Sequence, residues 1–246
     1  MAEGALPVRP LSSFLADLDD WGDAFRYAPH TPDERTVRLL GPLAGKRVLL
    51  LGCGAGSPLL MLSRAGAKVI AVEPSVAAAE LALRRCAASG LIAEVHQREL
   101  AELAFVRADT IDLVISAMTL SGTDDLLRVF RQLHRVLRPD APIVASLPHP
   151  FLAALNVGQT ARTKGAVTLQ RYGSGTSQSW RVGDIEGLSY PHRFEDIFVA
   201  LNRTNFRVDA LLEPPAVPSD GPSNYWYPTL DDIPAAVILR AKKVGL

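Results

Sequence analysis

The run Val48–Ser57 carries the strongest chemical signal in the chain, reading Val-Leu-Leu-Leu-Gly-Cys-Gly-Ala-Gly-Ser. Its branched apolar residues are typical of a fully buried parallel strand. The three alternating glycines then allow a sharp turn in which the backbone approaches a ligand where any Cβ would clash. Ser57 suits a helix N-cap, and Pro58 suits the first helical position. Together these features predict a nucleotide-type site.

An acid about twenty residues downstream indicates which nucleotide is bound. Val69–Glu73 reads as a second buried strand that ends in a carboxylate, followed by Pro74. Such a carboxylate can accept two hydrogen bonds from a ribose diol. Two alternatives stay open. One is a structural turn with a solvated glutamate. The other is an NAD-binding domain, although its usual third glycine would fall at position 57, which is a serine here.

From residue 46 onward, strand and helix patterns alternate. Further strands are predicted at 93–97, 111–116, 142–147, 207–213 and 235–241. Helices are predicted from Ser75 to Gly90, after Thr123, and near 194–202. This order predicts an α/β fold: a Rossmann-like doubly wound, mostly parallel seven-stranded sheet with a C-terminal antiparallel hairpin. We expect a single domain over 1–246, with 1–40 as an N-terminal helical cap and 150–190 as a polar insertion or lid over the acceptor site.

Composition excludes several classes of protein. The 246 residues include 26 basic and 26 acidic side chains, so there is no electrostatic footprint for nucleic acid or an anionic membrane. Two cysteines are too few for a disulfide scaffold, and no metal-ligand spacing occurs, so no metal is expected. There is no signal-peptide pattern at the start and no apolar run of about 18 residues. A cytoplasmic protein is the default expectation.

These motifs resemble those of the class I S-adenosylmethionine-dependent methyltransferases, in particular the small-molecule "methyltransferase type 11" group. The resemblance runs from Val48 to about Leu147, and more loosely through the C-terminal hairpin. It rests on five motifs in order: the glycine turn, the acid-ended strand, the segment 95–103, the strand 111–116, and Leu133-His-Arg-Val-Leu-Arg-Pro. One position departs from the family pattern, because Leu50 stands where an acid usually helps to hold the methionine end of the cofactor.

The resemblance implies S-adenosylmethionine as the cofactor, with S-adenosylhomocysteine as its product, and a small-molecule acceptor. The residues that it implies at the cofactor share the first four motifs; they are Gly52, Cys53, Gly54, Gly56, Glu73, Pro74, Glu99, Leu100, Ser116 and Met118. Glu99 is expected near the adenine amino group and Leu100 at the adenine edge. Ser116 and Met118 are expected near the reacting methyl.

Methylation of oxygen would require a proton acceptor, and two histidines are candidates for it. His149 follows the fifth strand between two prolines, and His192 precedes a helix after the polar insertion. Oxygen is the expected acceptor atom only because these histidines are available. Two other functions stay open. Leu50 suggests a protein that binds the cofactor without turnover, and the shared strand, turn and acid leave an NAD-dependent oxidoreductase as a less favoured reading.

Overall fold

The computed structural model describes residues 9–19, 21–154, 172–173, 176–217, 223–226, 230 and 233–245. Its main sheet has seven strands in the order β3-β2-β1-β4-β5-β9-β8. In chain order the strands of the described residues are β1 Arg47–Leu51, β2 Lys68–Glu73, β3 Glu94–Gln97, β4 Leu113–Ala117, β5 Pro142–Pro148, β6 Gln178–Val182, β7 Ile185–Ser189, β8 Phe206–Leu212 and β9 Ala236–Lys243.

Strands β1 to β5 pair in parallel, whereas β9 pairs antiparallel with both β5 and β8. The predicted doubly wound sheet with a C-terminal antiparallel hairpin is therefore confirmed. The strand order reverses between β1 and β4. In open α/β sheets, ligands bind at such a switch point, outside the carboxyl ends of the strands.

The helices are α1 Glu34–Val37, α2 Ser57–Arg64, α3 Val76–Ala88, α4 Leu126–Val136, α5 Pro150–Ala153 and α6 Phe194–Arg203, with 3₁₀ helices at Leu11–Ala16 and Thr119–Gly122. Ser75 caps α3 by accepting a hydrogen bond from the Ala78 amide, as predicted. The cap predicted at Ser57 is wrong: α2 has Gly56 at its N-cap, and the Ser57 hydroxyl donates to the carbonyl of Asp19.

Two apolar clusters cover the faces of the sheet. Leu50 belongs to one cluster and is fully buried, whereas its neighbours Leu49 and Leu51 face the other. This alternation follows from the period of two residues along a strand. Because apolar side chains cover both faces of the sheet, polar groups are found at the carboxyl ends of the strands.

The N-terminal region is less helical than predicted. Among its described residues up to 40, only Leu11–Ala16 and α1 are helical. Phe14, Trp21, Phe25 and Tyr27 form consecutive ring contacts with centroids 5.3–5.6 Å apart, and they are buried in the core. Apolar packing, rather than local helix propensity, therefore holds this region on the sheet.

The predicted polar insertion contributes a two-stranded hairpin, β6–β7, that the sequence did not reveal. Residues 155–171 and 174–175 lie outside the described part of the chain. The role of residues 150–190 as a lid stays a prediction. Within the described residues, none of the helices has both the length and the apolar character required to span a membrane.

Candidate active site

A cavity of about 520 Å³ opens at the carboxyl ends of the parallel strands. This is within the range of small-molecule sites, roughly 300–1,000 Å³. Glu73 ends β2, Glu99 follows β3, and Gly52 and Met118 follow β1 and β4. Neighbouring strands lie about 4.8 Å apart, so these four groups form a row of roughly 15 Å across the cavity floor.

Seven of the ten predicted cofactor residues line this cavity. They are Gly52, Gly54, Glu73, Pro74, Glu99, Leu100 and Met118. Glu99 is exposed and Leu100 is buried. Most of the cofactor positions that were predicted from the sequence therefore lie around one cavity.

Cys53, Gly56 and Ser116 are not among the cavity-lining residues. Cys53 is fully buried in the apolar core, and burial raises the pKa of its thiol well above the ordinary value. An added Cβ at Gly56 would lie 2.9 Å from the Cα of Ala82. Ser116 is fully buried within β4. Cofactor contacts by these three residues stay predictions.

The glycines of the turn make room for protein atoms. A Cβ at Gly52 would lie 2.1 Å from the hydroxyl oxygen of Thr119, and one at Gly54 would lie 2.1 Å from the carbonyl oxygen of Leu15. Both glycines also have positive φ, at 74° and 50°. The absence of side chains at these two positions therefore makes room for Thr119 and Leu15, and contact of the two glycines with a cofactor stays a prediction.

Every amide from Gly52 to Gly56 donates to a protein acceptor. Cys53 and Gly54 both donate to Oε2 of Glu73 at 2.9 Å. The other three donate to backbone carbonyls, Gly52 to Val72, Ala55 to Leu15 and Gly56 to Cys53. A pyrophosphate at such a turn requires free amides and no carboxylate. This arrangement therefore disfavours the NAD reading.

Glu73 is the most constrained acid of the cavity. Its Oε1 accepts a third hydrogen bond, from the Ser75 amide at 3.0 Å, and the residue is 7% exposed. Burial raises the pKa of Glu73 above the ordinary glutamate value, and the three amides partly oppose this shift. A carboxylate offers about four acceptor positions, and these three amides occupy most of them.

Residues 9–19 form a strap over the glycine turn. The Leu15 carbonyl accepts from the Ala55 amide at 2.7 Å. The guanidinium of Arg85 donates to the carbonyls of Ala55, at 2.8 Å, and of Leu18, at 3.1 Å. Arg85 thus ties the strap to the turn, which places Ser12, Leu15 and Ala16 in the cavity wall. Sequence reasoning missed these residues because no local pattern connects them with the turn.

The hairpin β6–β7 forms another part of the cavity wall, through Trp180, Ile185 and Leu188 among others. The indole of Trp180 lies directly over Gly187, where an added Cβ would be 2.4 Å from the ring. These residues supply apolar surface. The spacing of aromatic and branched residues in 176–189 is a signal that could have revealed the hairpin, but its strands are short and polar.

The cavity has an acidic lining. Among the described residues, its ionisable side chains are Glu73, Glu99, Asp124, Asp125, Glu186 and a single cation, Arg128. Asp125 caps α4, and Glu186 forms an ion pair with Arg181. The excess of carboxylates favours a ligand that carries positive charge and disfavours a polyanion. No group of residues suited to a metal ion occurs in the described part of the chain.

Neither predicted histidine is among the residues that line the cavity. The buried ring of His149 donates from Nε2 to Glu213 at 2.8 Å and accepts at Nδ1 from the Phe151 amide at 3.3 Å. His192 donates from Nε2 to the carbonyl of Thr123 at 2.8 Å, and Thr123 does line the cavity. Burial lowers the pKa of His192, which keeps the ring neutral. Their catalytic roles stay predictions.

Comparison with known proteins confirms the resemblance. Residues 48–140 match the methyltransferase domain family. The chain is 31% identical over 127 residues to a ubiquinone biosynthesis O-methyltransferase of Hahella chejuensis, covering 50% of this chain and 51% of that protein. It is 32% identical over 109 residues to a demethylmenaquinone methyltransferase of Clavibacter sepedonicus, covering 44% of each. The chain thus spans about half the length of the curated relatives that it matches.

Solved structures agree on the fold. An S-adenosylmethionine dependent methyltransferase from Mesorhizobium loti superposes with a TM-score of 0.63 at 22% identity. The superposition covers 85% of this chain and 95% of that one. The likeness of fold therefore reaches beyond residues 48–140 to most of the chain.

Proposed function

Residues 48–140 match the methyltransferase domain family, and from this premise we propose that the protein transfers a methyl group from S-adenosylmethionine to an oxygen of a small molecule. The observation that carries the proposal is the row of groups at the ends of adjacent strands. Glu99 and Leu100 would hold adenine, Glu73 would accept from a ribose hydroxyl, and Gly52 and Met118 would border the methionine end. The cofactor, when bound, supplies an electrophilic methyl on a positively charged sulfur.

The chain's own contribution is alignment and exclusion of water. The strap and the hairpin β6–β7 enclose the cavity, and the acidic lining complements a cationic ligand. Positioning two reactants in this way is worth at most about 7–11 kcal/mol of the barrier. No covalent step on the protein is required.

Two observations support a small-molecule acceptor. Two of the curated relatives act, by name, in ubiquinone biosynthesis and on demethylmenaquinone. The hairpin also presents apolar side chains, including Trp180 and Leu188, to a cavity of small-molecule size. We infer that the acceptor is a hydroxyl on an aromatic or similarly flat compound. The zero net charge of the chain gives no support for a nucleic-acid substrate.

We infer that His192, rather than His149, is the general base that removes the proton from the acceptor hydroxyl. What supports this choice is the contact of His192 with the cavity residue Thr123, together with the lowered pKa that keeps its imidazole neutral. A neutral imidazole can accept a proton, directly or through a water. Both ring nitrogens of His149 already have protein partners.

The proposal is tested by binding and turnover together. S-Adenosylmethionine and S-adenosylhomocysteine should bind the full chain in calorimetry. Incubation with S-adenosylmethionine and a panel of phenols, catechols and hydroxyquinones should give S-adenosylhomocysteine and an acceptor heavier by one methylene. Failure of both cofactor forms to bind would overturn the proposal.

A second candidate, a protein that binds the cofactor without turnover, is favoured by Leu50. This residue is fully buried among apolar side chains, so the usual acid contact to the methionine end is missing. Tight binding with no transfer to any member of the panel would favour this candidate.

A further inference from the structure

Ser12 has a buried hydroxyl without a partner. The residue lies in the N-terminal 3₁₀ helix, is 7% exposed and lines the cavity. Its Oγ has no hydrogen-bond partner among the described residues. A buried hydroxyl of this kind costs free energy unless a ligand or a water satisfies it. An unpaired buried hydroxyl on a residue that lines the cavity therefore points to a ligand group that pairs with it when the cavity is occupied.

Ser12 lies near the glycine-turn end of the cavity. Residues i and i+3 of a 3₁₀ helix share one face, so Ser12 lies above the same surface as Leu15. The Leu15 carbonyl contacts the turn through the Ala55 amide at 2.7 Å. The sheet order β3-β2-β1-β4 puts Glu99 two strands away from this turn, with Glu73 between them.

The position of Ser12 relative to the row of groups at the strand ends indicates which part of the cofactor would lie beside it. A cofactor with its adenine at Glu99 and its ribose at Glu73 extends its amino-acid end toward Gly52 and Ser12. Leu50 cannot bind a charged group there, because it is apolar and fully buried. A hydroxyl can donate to a carboxylate and also accept from an ammonium.

We propose that Ser12 binds the amino-acid end of the cofactor and replaces the contact that the family acid would make at position 50. This inference rests on the proposed function. It assigns the strap a direct role in binding, in addition to enclosing the cavity.

The chain offers a matched control in Ser13. This neighbour is also buried, but its hydroxyl donates to the carbonyl of Pro10 at 2.8 Å, and it is not among the cavity-lining residues. Ser12→Ala and Ser13→Ala therefore remove the same atom from one short helix. Only the first removes it from the cavity wall.

Calorimetry with two ligands on the full chain tests the proposal. S-Adenosylhomocysteine carries the amino-acid end, and 5′-methylthioadenosine lacks it. Ser12→Ala should weaken S-adenosylhomocysteine binding about tenfold, as expected for a lost hydrogen bond to a charged group, and leave methylthioadenosine binding unchanged. Ser13→Ala should change neither affinity. An equal loss for both ligands, or no loss for either, would overturn the assignment of Ser12.

Thermal unfolding without ligand gives a second readout. Ser12→Ala should leave the Tm unchanged or raise it, because it removes an unsatisfied buried group, whereas Ser13→Ala should lower it. A lower Tm for Ser12→Ala would show that its hydroxyl has a structural partner and would overturn the proposal. If the wild-type protein binds neither ligand, the proposed function fails and this inference fails with it. If the wild-type protein binds S-adenosylhomocysteine and Ser12→Ala binds it equally well, only this inference fails.

Discussion

Glu73 accepts a hydrogen bond from the amide of Gly54 at 2.9 Å, across an interval of 19 residues. The same carboxylate thus shapes the glycine turn and faces the cavity. Glu73→Ala should lower the free energy of unfolding by about 1–3 kcal/mol for each buried amide that it leaves without a partner. It should also weaken S-adenosylhomocysteine binding by about 1.5–3 kcal/mol, the range of hydrogen bonds to a charged group.

Chemical unfolding and calorimetry measure these two effects. Glu94→Ala is the control, because Glu94 is an exposed glutamate on the adjacent strand β3. Wild-type affinity in Glu73→Ala would contradict the ribose assignment. Wild-type stability would contradict the structural role of its hydrogen bonds.

The raised pKa of Glu73 predicts a pH dependence of stability. The folded protein holds this proton more tightly than the unfolded chain does. The stabilising contribution is therefore full below the ordinary glutamate pKa of about 4.3 and is lost as the pH rises through the raised folded value. The unfolding free energy of wild type minus that of Glu73→Gln should fall between pH 4 and the folded pKa. A difference that grows with pH would show that the amide hydrogen bonds outweigh burial.

Alanine variants at Gly54 and Gly90 distinguish two contributions to the loss of folding stability: the strained backbone conformation and a steric clash. Both glycines have positive φ, at 50° and 69°, but only an alanine at position 54 would meet the Leu15 carbonyl. Gly90→Ala should cost about 1–2 kcal/mol for the left-handed conformation alone. Gly54→Ala should cost more and should increase amide hydrogen exchange in residues 11–19. Equal costs for the two variants would mean that the strap does not rest on the turn as described.

The two histidines can be distinguished by amide replacements that keep their structural hydrogen bonds. Glutamine at 192 places its amide nitrogen near the position of Nε2 and can still donate to the Thr123 carbonyl, and asparagine at 149 can still cap α5 through the position of Nδ1. His192→Gln should reduce turnover by about 10²–10⁴-fold, the usual range for a lost general base, with cofactor affinity unchanged. His149→Asn should reduce it far less. The reverse ranking would assign the base to His149, and full activity of both variants would leave alignment as the source of catalysis.

Local pattern was enough to predict the main sheet. The continuous apolar run Val48–Leu51 and the cap at Ser75 carry their structural meaning within a few residues, so strand β1 and the start of α3 could be predicted. The same holds for Glu73, because an acid at the end of a strand faces the ligand side of such a sheet. Seven of the ten proposed cofactor positions line one cavity for this reason.

Long-range contacts were beyond sequence reasoning. Leu15 meets Ala55 across 40 residues, and Arg85 secures both segments from α3. Nothing local indicates that Gly54 makes room for a backbone carbonyl, so its role was predicted as contact with a ligand. The strands β6 and β7 were missed because most of their residues are exposed or half-buried and polar, which gives no sustained alternation.

Calorimetric titration of the wild-type chain with S-adenosylhomocysteine and, separately, with NADH tests the central claim most directly. The account predicts that S-adenosylhomocysteine binds with one-to-one stoichiometry and that NADH does not bind, since the amides of the glycine turn are already engaged and a carboxylate lies among them. Binding of NADH in preference to S-adenosylhomocysteine would contradict the account.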